Sequence, residues 1–433
     1  MEIWYYKGIS YLVKGWLVMN IGLFTDTYAP QVSGVVTSIQ TLRQQLIARG
    51  HRVYIFTSTD PNVPRNVLEP DVYRFPSLPF IGFKDRRLSY RGGIQAIQLA
   101  KKLQLDIVHT QTEFSLGLIG KLVARQLKIP AVHTFHTNYE DYLHYVANGK
   151  IIRPASVAVI ARSFMAGMTG VIAPSKQTYD TLTKYKVSAP IEIIPTGVNV
   201  KHAESEDTSS QLRQKLGISS ETPVVLSLGR IAFEKNIDTA LEIFAEVLMK
   251  VPDAIFLIVG GGPAMAALKD HVRSLEISDN VIFTGEVDHD EVYGYYKLAD
   301  VFLSASISET QGLTFIEAMT ANTPVVAIRS PYLETVVIDD NIGALADDSY
   351  ELLEPVVNYL MAKKTHRIIG QPSIREKVLY DIDAVTFGQR VLDCYSEALV
   401  VYHEEEDMEE VTSNDLEYAK SFLTKTPFHK EGK

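Results

Sequence analysis

The chain has 433 residues, of which 46% are hydrophobic and 22% charged, an ordinary globular composition with enough length for two or three domains. Its formal net charge of −10 conceals a split: residues 1–200 hold 22 Lys and Arg against 12 Asp and Glu, and the remainder holds 20 against 40, so either the halves serve different partners or they attract one another. The single cysteine, Cys394, excludes an intramolecular disulfide and any cysteine-based metal cluster, and fits a reducing compartment.

"MEIWYYKGISYLVKGWLV", residues 1–18, resembles a signal segment, but Lys14 breaks its apolar run and no small-residue cleavage site follows. It is expected to form an extension outside the fold. "MNIGLFTD" (Met19–Asp26) is a continuous apolar run, the pattern of a strand buried on both faces. "TSIQTLRQQLIARG" then carries apolar residues at helical spacing and ends on Gly50. Strands "HRVYIFTS", "DIVHTQT", "PAVHTFHT", "GVIAPS" and "IEIIPTGV" follow, with the helix "LGLIGKLVARQLK" among them. Alternation of this kind predicts parallel strands joined by crossover helices. The apolar stretch from Ala155 to Ala173 is interrupted by Arg162, so no segment reads as a clean membrane span.

After Asn199, "KHAESEDTSSQ" is polar and reads as a linker. A second alternating series follows: strands "PVVLSLG", "AIFLIVG", "NVIFTG", "VFLSAS" and "TPVVAI", with helices "IDTALEIFAEVLMK", "AMAALKDHVRSL", "DEVYGYYKLA" and "LTFIEAMT" between them. The fold class is therefore α/β with two doubly wound, Rossmann-like domains, residues 19–199 and 200–385. Residues 386–433 form a tail, expected to be helical and to cross back to the first domain. In such sheets ligands sit beyond the carboxyl ends of the strands, which puts the site in the cleft between the domains.

Three strand-to-helix junctions of the second half carry unusual residues. "SLGRIAFEKNID" sets Arg230 and Lys235 around a turn, where two cations can grip a pyrophosphate or can be plain surface charges. "VGGGPAMAAL" permits close backbone approach at Gly260, Gly261 and Gly262 but lacks dinucleotide spacing, and a tight turn explains it equally well. "SETQGLTFIEAMTANTPVVA" places Glu309 ahead of a helix and Glu317 one turn into it. The amides of Gln311, Gly312, Leu313 and Thr314 then form a positive helix end suited to an anion. A carboxylate only accepts hydrogen bonds, so each glutamate can hold a pair of sugar hydroxyls. Together these junctions make a clamp for a nucleotide sugar.

From Met19 to about residue 400, the chain resembles the retaining, GT-B-fold glycosyltransferases of family four. "GRIAFEKN" and Glu309-x7-Glu317 carry the resemblance, in order with "GVIAPS" and "IIPTGVN". The resemblance implies that Arg230 and Lys235 bind the donor diphosphate, that Glu309 and the amides after it hold the transferred sugar, and that Glu317 binds the ribose. It further implies that Gly34 in "APQVSGVV" belongs to a loop approaching the donor phosphates, and that His136 in "TFHTNYEDY" lies beside the reacting sugar. His136 and Glu309 are thus the candidate catalytic residues, as positioning and charge-shaping groups rather than nucleophiles. Two features depart from the family pattern: Asn322 and Thr323 stand where a glycine is common before "PVVA", and "RSPYLE" replaces a Gly-Gly after that strand. "SPYLE", "FPSLPFIGFKDRRLSYRG" and "DYLHYVANGKIIRP" look like the bacterial diacylglycerol glucosyltransferases that begin glycolipid and lipoteichoic-acid anchor synthesis.

That resemblance implies a hexose donor such as UDP-glucose, a lipid acceptor, and no cofactor or metal. The sequence Asp288-His289-Asp290 imitates a metal-binding D-x-D motif, but Asp288 with Glu291 reads as a helix capping box. His133 near His136 gives a metal no third ligand. Lys84, Arg86, Arg87 and Arg91, interleaved with apolar residues, are expected to face an anionic membrane surface, with the protein peripheral on its cytoplasmic side. No nucleic-acid recognition motif accompanies these charges. A transferase with a soluble acceptor and a non-catalytic nucleotide-sugar-binding protein remain as alternatives.

Overall fold

A computed structural model describes residues 18–31, 33–64, 69–80, 83–136, 154–198, 209–288, 291–307, 311–365, 367 and 369–403. The first domain is built on a seven-stranded parallel sheet of β1 (Asn20–Thr25), β2 (Arg52–Ser58), β3 (Val72–Phe75), β6 (Ile107–Thr110), β7 (Ala131–Thr134), β8 (Gly170–Ala173) and β9 (Ile191–Ile193). A separate antiparallel hairpin, β4 (Ser77–Phe80) and β5 (Phe83–Ser89), follows β3. The strand order is β3-β2-β1-β6-β7-β8-β9. Chain direction across the sheet therefore reverses between β1 and β6.

The second domain repeats the design with six parallel strands: β10 (Val224–Leu228), β11 (Ile255–Val259), β12 (Val281–Gly285), β13 (Val301–Ser304), β14 (Val325–Ile328) and β15 (Gly343–Ala346). Their order, β12-β11-β10-β13-β14-β15, puts the reversal between β10 and β13. Crevices at such reversals are where doubly wound sheets bind ligands. Central strands are buried on both faces because helices cover both sides: the β1 residues from Ile21 to Thr25 and all four β6 residues are buried.

Each sheet divides its domain into two apolar layers. In the second domain, Leu226, Phe302, Phe315 and Ile316 pack on one face, and Val225, Leu241, Phe244 and Phe256 on the other. In the first, Phe24, Phe56, Val108 and Phe135 form one layer, and Ile21, Leu23, Ile55 and Val132 the other. That last layer is completed from far along the chain. A helix spanning 384–403 lays Phe387, Val391, Cys394 and Tyr395 onto it, and the Tyr395 hydroxyl lies 2.6 Å from His109 Nδ1.

The chain passes between domains near Val198 and again near Asp383, and the two passages pair as a parallel bridge. Val198 N donates to Ile382 O at 3.0 Å, and Ala384 N to Val198 O at 2.8 Å. The polar linker read from the sequence, residues 201–211, lies outside the described residues up to 208, as do 199–200, 1–17 and 404–433, while 209–211 open the helix Ser209–Leu216.

Candidate active site

The helix Gly34–Ala48 follows β1, with Ser33 as its N-cap accepting from Val36 N. Gly34 is thus the first helical residue rather than a loop residue. A Cβ added at Gly34 would find Leu313 Cδ1, at 3.8 Å, as its nearest neighbour. Leu313 opens the second domain's helix Leu313–Thr320, so two helix N-termini, one from each domain, meet across the cleft. Gly312 caps that second helix at φ 72, a left-handed conformation natural to glycine. Gly312 supplies no side-chain cap to this end.

The cation-bearing loop leaves β10, the strand beside β13 at the sheet's reversal. Arg230 is half exposed, 4.0 Å from Glu234 Oε1, and Lys235 ends a short 3-10 turn, Phe233–Lys235. Asn236 Nδ2 donates to Ala305 O at 3.1 Å, fastening this loop to the one after β13. Both cations and the Leu313 helix therefore belong to one crevice. The glycine triplet has a packing reason: a Cβ at Gly260 would fall 1.9 Å from Gly229 O, and one at Gly262 2.2 Å from Ile231 O. These glycines let the two loops touch, and Ile231 N donates to Gly261 O at 2.9 Å.

Glu317 lies one turn into the Leu313 helix, partly buried, and its Oε2 accepts from the Tyr296 hydroxyl at 2.9 Å. Burial pushes the Glu317 carboxyl up to about 7, against a lowering contribution from the Tyr296 bond. Glu309 falls outside the described residues. Gln311 does not present only its amide to the site. Its side chain is buried and turned to the first domain, where Oε1 accepts from Thr196 N and Nε2 donates to Thr196 O. Asn322, at φ 66, takes the left-handed position where the family commonly has glycine.

On the first-domain side, His136 follows β7 and sits beside the residue that follows β6: its Nε2 is 2.7 Å from Gln111 Oε1. The amide oxygen only accepts, so the imidazole donates from Nε2. Burial, with the neighbouring His133 second, lowers His136 to about 3, so the ring is neutral at physiological pH. Gln111 itself is 2% exposed, and its Nε2 has no hydrogen-bond partner among the described residues. His133 does polar work within the fold, with Nδ1 by Thr110 and Nε2 3.1 Å from Glu113 Oε1.

One expectation changes. Arg87 is not directed outward alone: it is partly buried, and its guanidinium donates to Ser77 Oγ and Ser77 O, both at 2.9 Å, which ties β5 to β4. Arg91 is exposed beside the Tyr90 ring, and the side chains of Lys84 and Arg86 lie outside the described residues. Glu291 N donates to Asp288 O at 2.9 Å, a turn that leads into the helix Val292–Leu298. His289 and Asp290 are outside the described residues.

Two Rossmann-like domains, each on a doubly wound parallel sheet, are the architecture of a GT-B glycosyltransferase. Residues 32–202 match the profile of Glycosyltransferase Family 4, and residues 208–371 that of Glycosyl transferases group 1. The chain is 46% identical over 394 residues to an alpha-monoglucosyldiacylglycerol synthase from Streptococcus pneumoniae, covering 90% of this chain and 88% of that one. It is 36% identical over 352 residues to the protein of the same name from Acholeplasma laidlawii, covering 78% and 88%. Among solved structures it is similar to sucrose-phosphate synthase from Thermosynechococcus elongatus, with a TM-score of 0.70 at 23% identity over 88% of this chain and 98% of the other, a likeness of fold. The chain belongs to glycosyltransferase family 4, and it is a glycosyltransferase.

Proposed function

We propose that this enzyme transfers glucose from UDP-glucose to the free hydroxyl of diacylglycerol, with retention of configuration, at the cytoplasmic face of the membrane. The observation that carries this reading is the near full-length 46% identity to a protein named for monoglucosyldiacylglycerol synthesis, joined to a cleft with the chemistry of a nucleotide-sugar site. As the bond from sugar C1 to the diphosphate oxygen breaks, negative charge gathers on the departing diphosphate. Arg230, Lys235 and the amides at Gly312, Leu313 and Thr314 stabilise it, with Gly34 close by from the first domain. No metal is required in this arrangement. The acceptor oxygen bonds to C1, and its proton passes to the departing phosphate. Glu317 holds the ribose diol, Glu309 the transferred sugar, and the neutral His136 orients that sugar by hydrogen bonding.

Peripheral membrane contact is supported by apolar side chains left in water on neighbouring first-domain helices. Ile94, Leu118, Leu122, Val159 and Ile160 are exposed, flanked by exposed Arg91, Arg125 and Arg162. Apolar groups that dip into the interface, with cations at the headgroups, hold a protein reversibly without a spanning helix. No helix among the described residues is long and apolar enough to cross a membrane. The test is a matrix of UDP-glucose, UDP-galactose and GDP-mannose against diacylglycerol vesicles and glycerol. Turnover confined to UDP-glucose with diacylglycerol is expected, and turnover with glycerol alone would replace the acceptor.

A further inference from the structure

Gln311 stands directly before the amides that face the cleft, a place where backbone alone would serve the donor. Yet the residue is 5% exposed, and both polar atoms of its carboxamide are engaged elsewhere. Oε1 accepts from Thr196 N at 2.9 Å, while Nε2 donates to Thr196 O at 2.8 Å and to the Tyr332 hydroxyl at 3.3 Å. A side chain that accepts from and donates to one residue's backbone imitates a neighbouring strand, and a carboxamide, with its acceptor oxygen beside a donor nitrogen, does both.

The residue it grips is the start of the hinge. Thr196 Oγ1 lies 2.9 Å from Ser38 Oγ on the helix that begins at Gly34. Gly197 leaves no room on its other side, since a Cβ there would fall 2.6 Å from Asp383 O. Val198 exchanges backbone hydrogen bonds with Ile382 and Ala384 on the returning chain. Three consecutive residues are therefore held by the donor-side helix loop, the first domain's opening helix and the second crossover. Tyr332, the third partner, belongs to the "RSPYLE" departure and is itself buried.

We propose that Gln311 is a positioning residue for glycosyl transfer, its carboxamide locking the Leu313 helix to the hinge strip Thr196–Val198 and so fixing the angle at which the two helix N-termini share one cleft. The proposal rests on reading the Leu313 helix as the donor-diphosphate site. Donor binding to the second domain alone does not need this lock; transfer does, because the acceptor and His136 sit on the first domain. Glutamate at this position would accept from Thr196 N but set a second carboxylate oxygen against Thr196 O. Methionine has a similar length and makes neither bond.

The test compares the full chain as wild type, Gln311→Met, Gln311→Glu and Tyr332→Phe. It uses small-angle scattering with and without UDP, UDP titration calorimetry, steady-state kinetics and thermal melting. Both Gln311 variants should show a larger radius of gyration than wild type and a kcat lower by about tenfold or more, the order expected from losing two neutral hydrogen bonds in one of two domain arrangements. UDP affinity should stay within about threefold, a split that a merely structural role would not produce. Tyr332→Phe, which removes one bond, should lower kcat by about threefold and remains informative should the Gln311 variants not fold. Wild-type compactness and kcat in the folded variants, or UDP affinity falling in step with kcat, would overturn the proposal. Absence of UDP binding to the wild type would sink the donor-site reading instead, with the ligand-free scattering still deciding the lock.

Discussion

Replacing Glu317 by Gln separates what this carboxyl does for the donor from what it costs the fold. Burial raises Glu317 to about 7, so about one chain in eleven carries the carboxylate at pH 6 and about ten in eleven at pH 8. Only the carboxylate offers acceptor oxygens to both hydroxyls of a ribose while also holding Tyr296. The KM for UDP-glucose should therefore fall about tenfold from pH 6 to pH 8 in the wild type. In the Glu317→Gln variant it should be higher and nearly flat, and His136, at about 3, adds no competing titration in this range. Stability moves the other way. A carboxyl raised in the folded state contributes stability that is complete below its unfolded value near 4.5 and is lost as pH rises through about 7. The loss amounts to about 3 kcal/mol at most. The Glu317→Gln side chain cannot ionise, so this variant should melt above the wild type at pH 8 and level with it at pH 4. Donor kinetics at three pH values and thermal melts on the same samples supply both readouts. A Glu317→Gln profile that tracks the wild type, or a lower melting point at pH 8, would refute the reasoning.

Lys235→Ala should lower kcat/KM by the equivalent of about 1.5–3 kcal/mol, the worth of a hydrogen bond to a charged group, and wild-type turnover should persist in excess EDTA; activity restored only by Mg²⁺ would revive Asp288 and Asp290. Glu309→Ala should depress kcat more than it raises donor KM, because a group on the transferred sugar acts where charge and ring shape change, and the reverse split would exchange its role with that of Glu317. Gly260→Ala should destabilise by about 3 kcal/mol or more, since its Cβ would meet Gly229 O at 1.9 Å with φ at 131, whereas Gly50→Ala, with nothing within 4 Å, should cost only about 1–2 kcal/mol for its left-handed backbone; denaturant melts compare them. Co-sedimentation with anionic vesicles should weaken with salt and with Arg91→Gln, and also with Leu118→Ser and Leu122→Ser, while equal binding to neutral vesicles would remove the electrostatic part of the account.

The strands were legible wherever burial on both faces made a continuous apolar run, as in "NIGLFT" or "IFLIV". β15, "GALA", and β3, "VYRF", carry no such run, since one has small residues at all but Leu345 and the other is only half-buried on the sheet edge. The placement of Arg230, Lys235 and Glu317 after β10 and β13 was legible because each follows its strand closely in sequence. Tyr296 on Glu317 was not, because a hydroxyl 21 residues away gives no local signal. The Gln311 side chain was not legible either: it reads the backbone of Thr196, 115 residues earlier, and a bond to backbone leaves no residue-type signature at the partner. Arg87 shows the same limit, since its charge pattern matched a membrane face while its guanidinium reaches Ser77 across a hairpin.

The central claim is best tested by the product itself. The purified full chain is given UDP-[¹⁴C]glucose and diacylglycerol in anionic vesicles with EDTA, the lipid is extracted, and the anomeric proton coupling of the organic-phase product is read by NMR. The account predicts labelled monoglucosyldiacylglycerol in the organic phase with an α linkage, the configuration of the donor. Label left wholly in water, or a β-linked lipid, would contradict it.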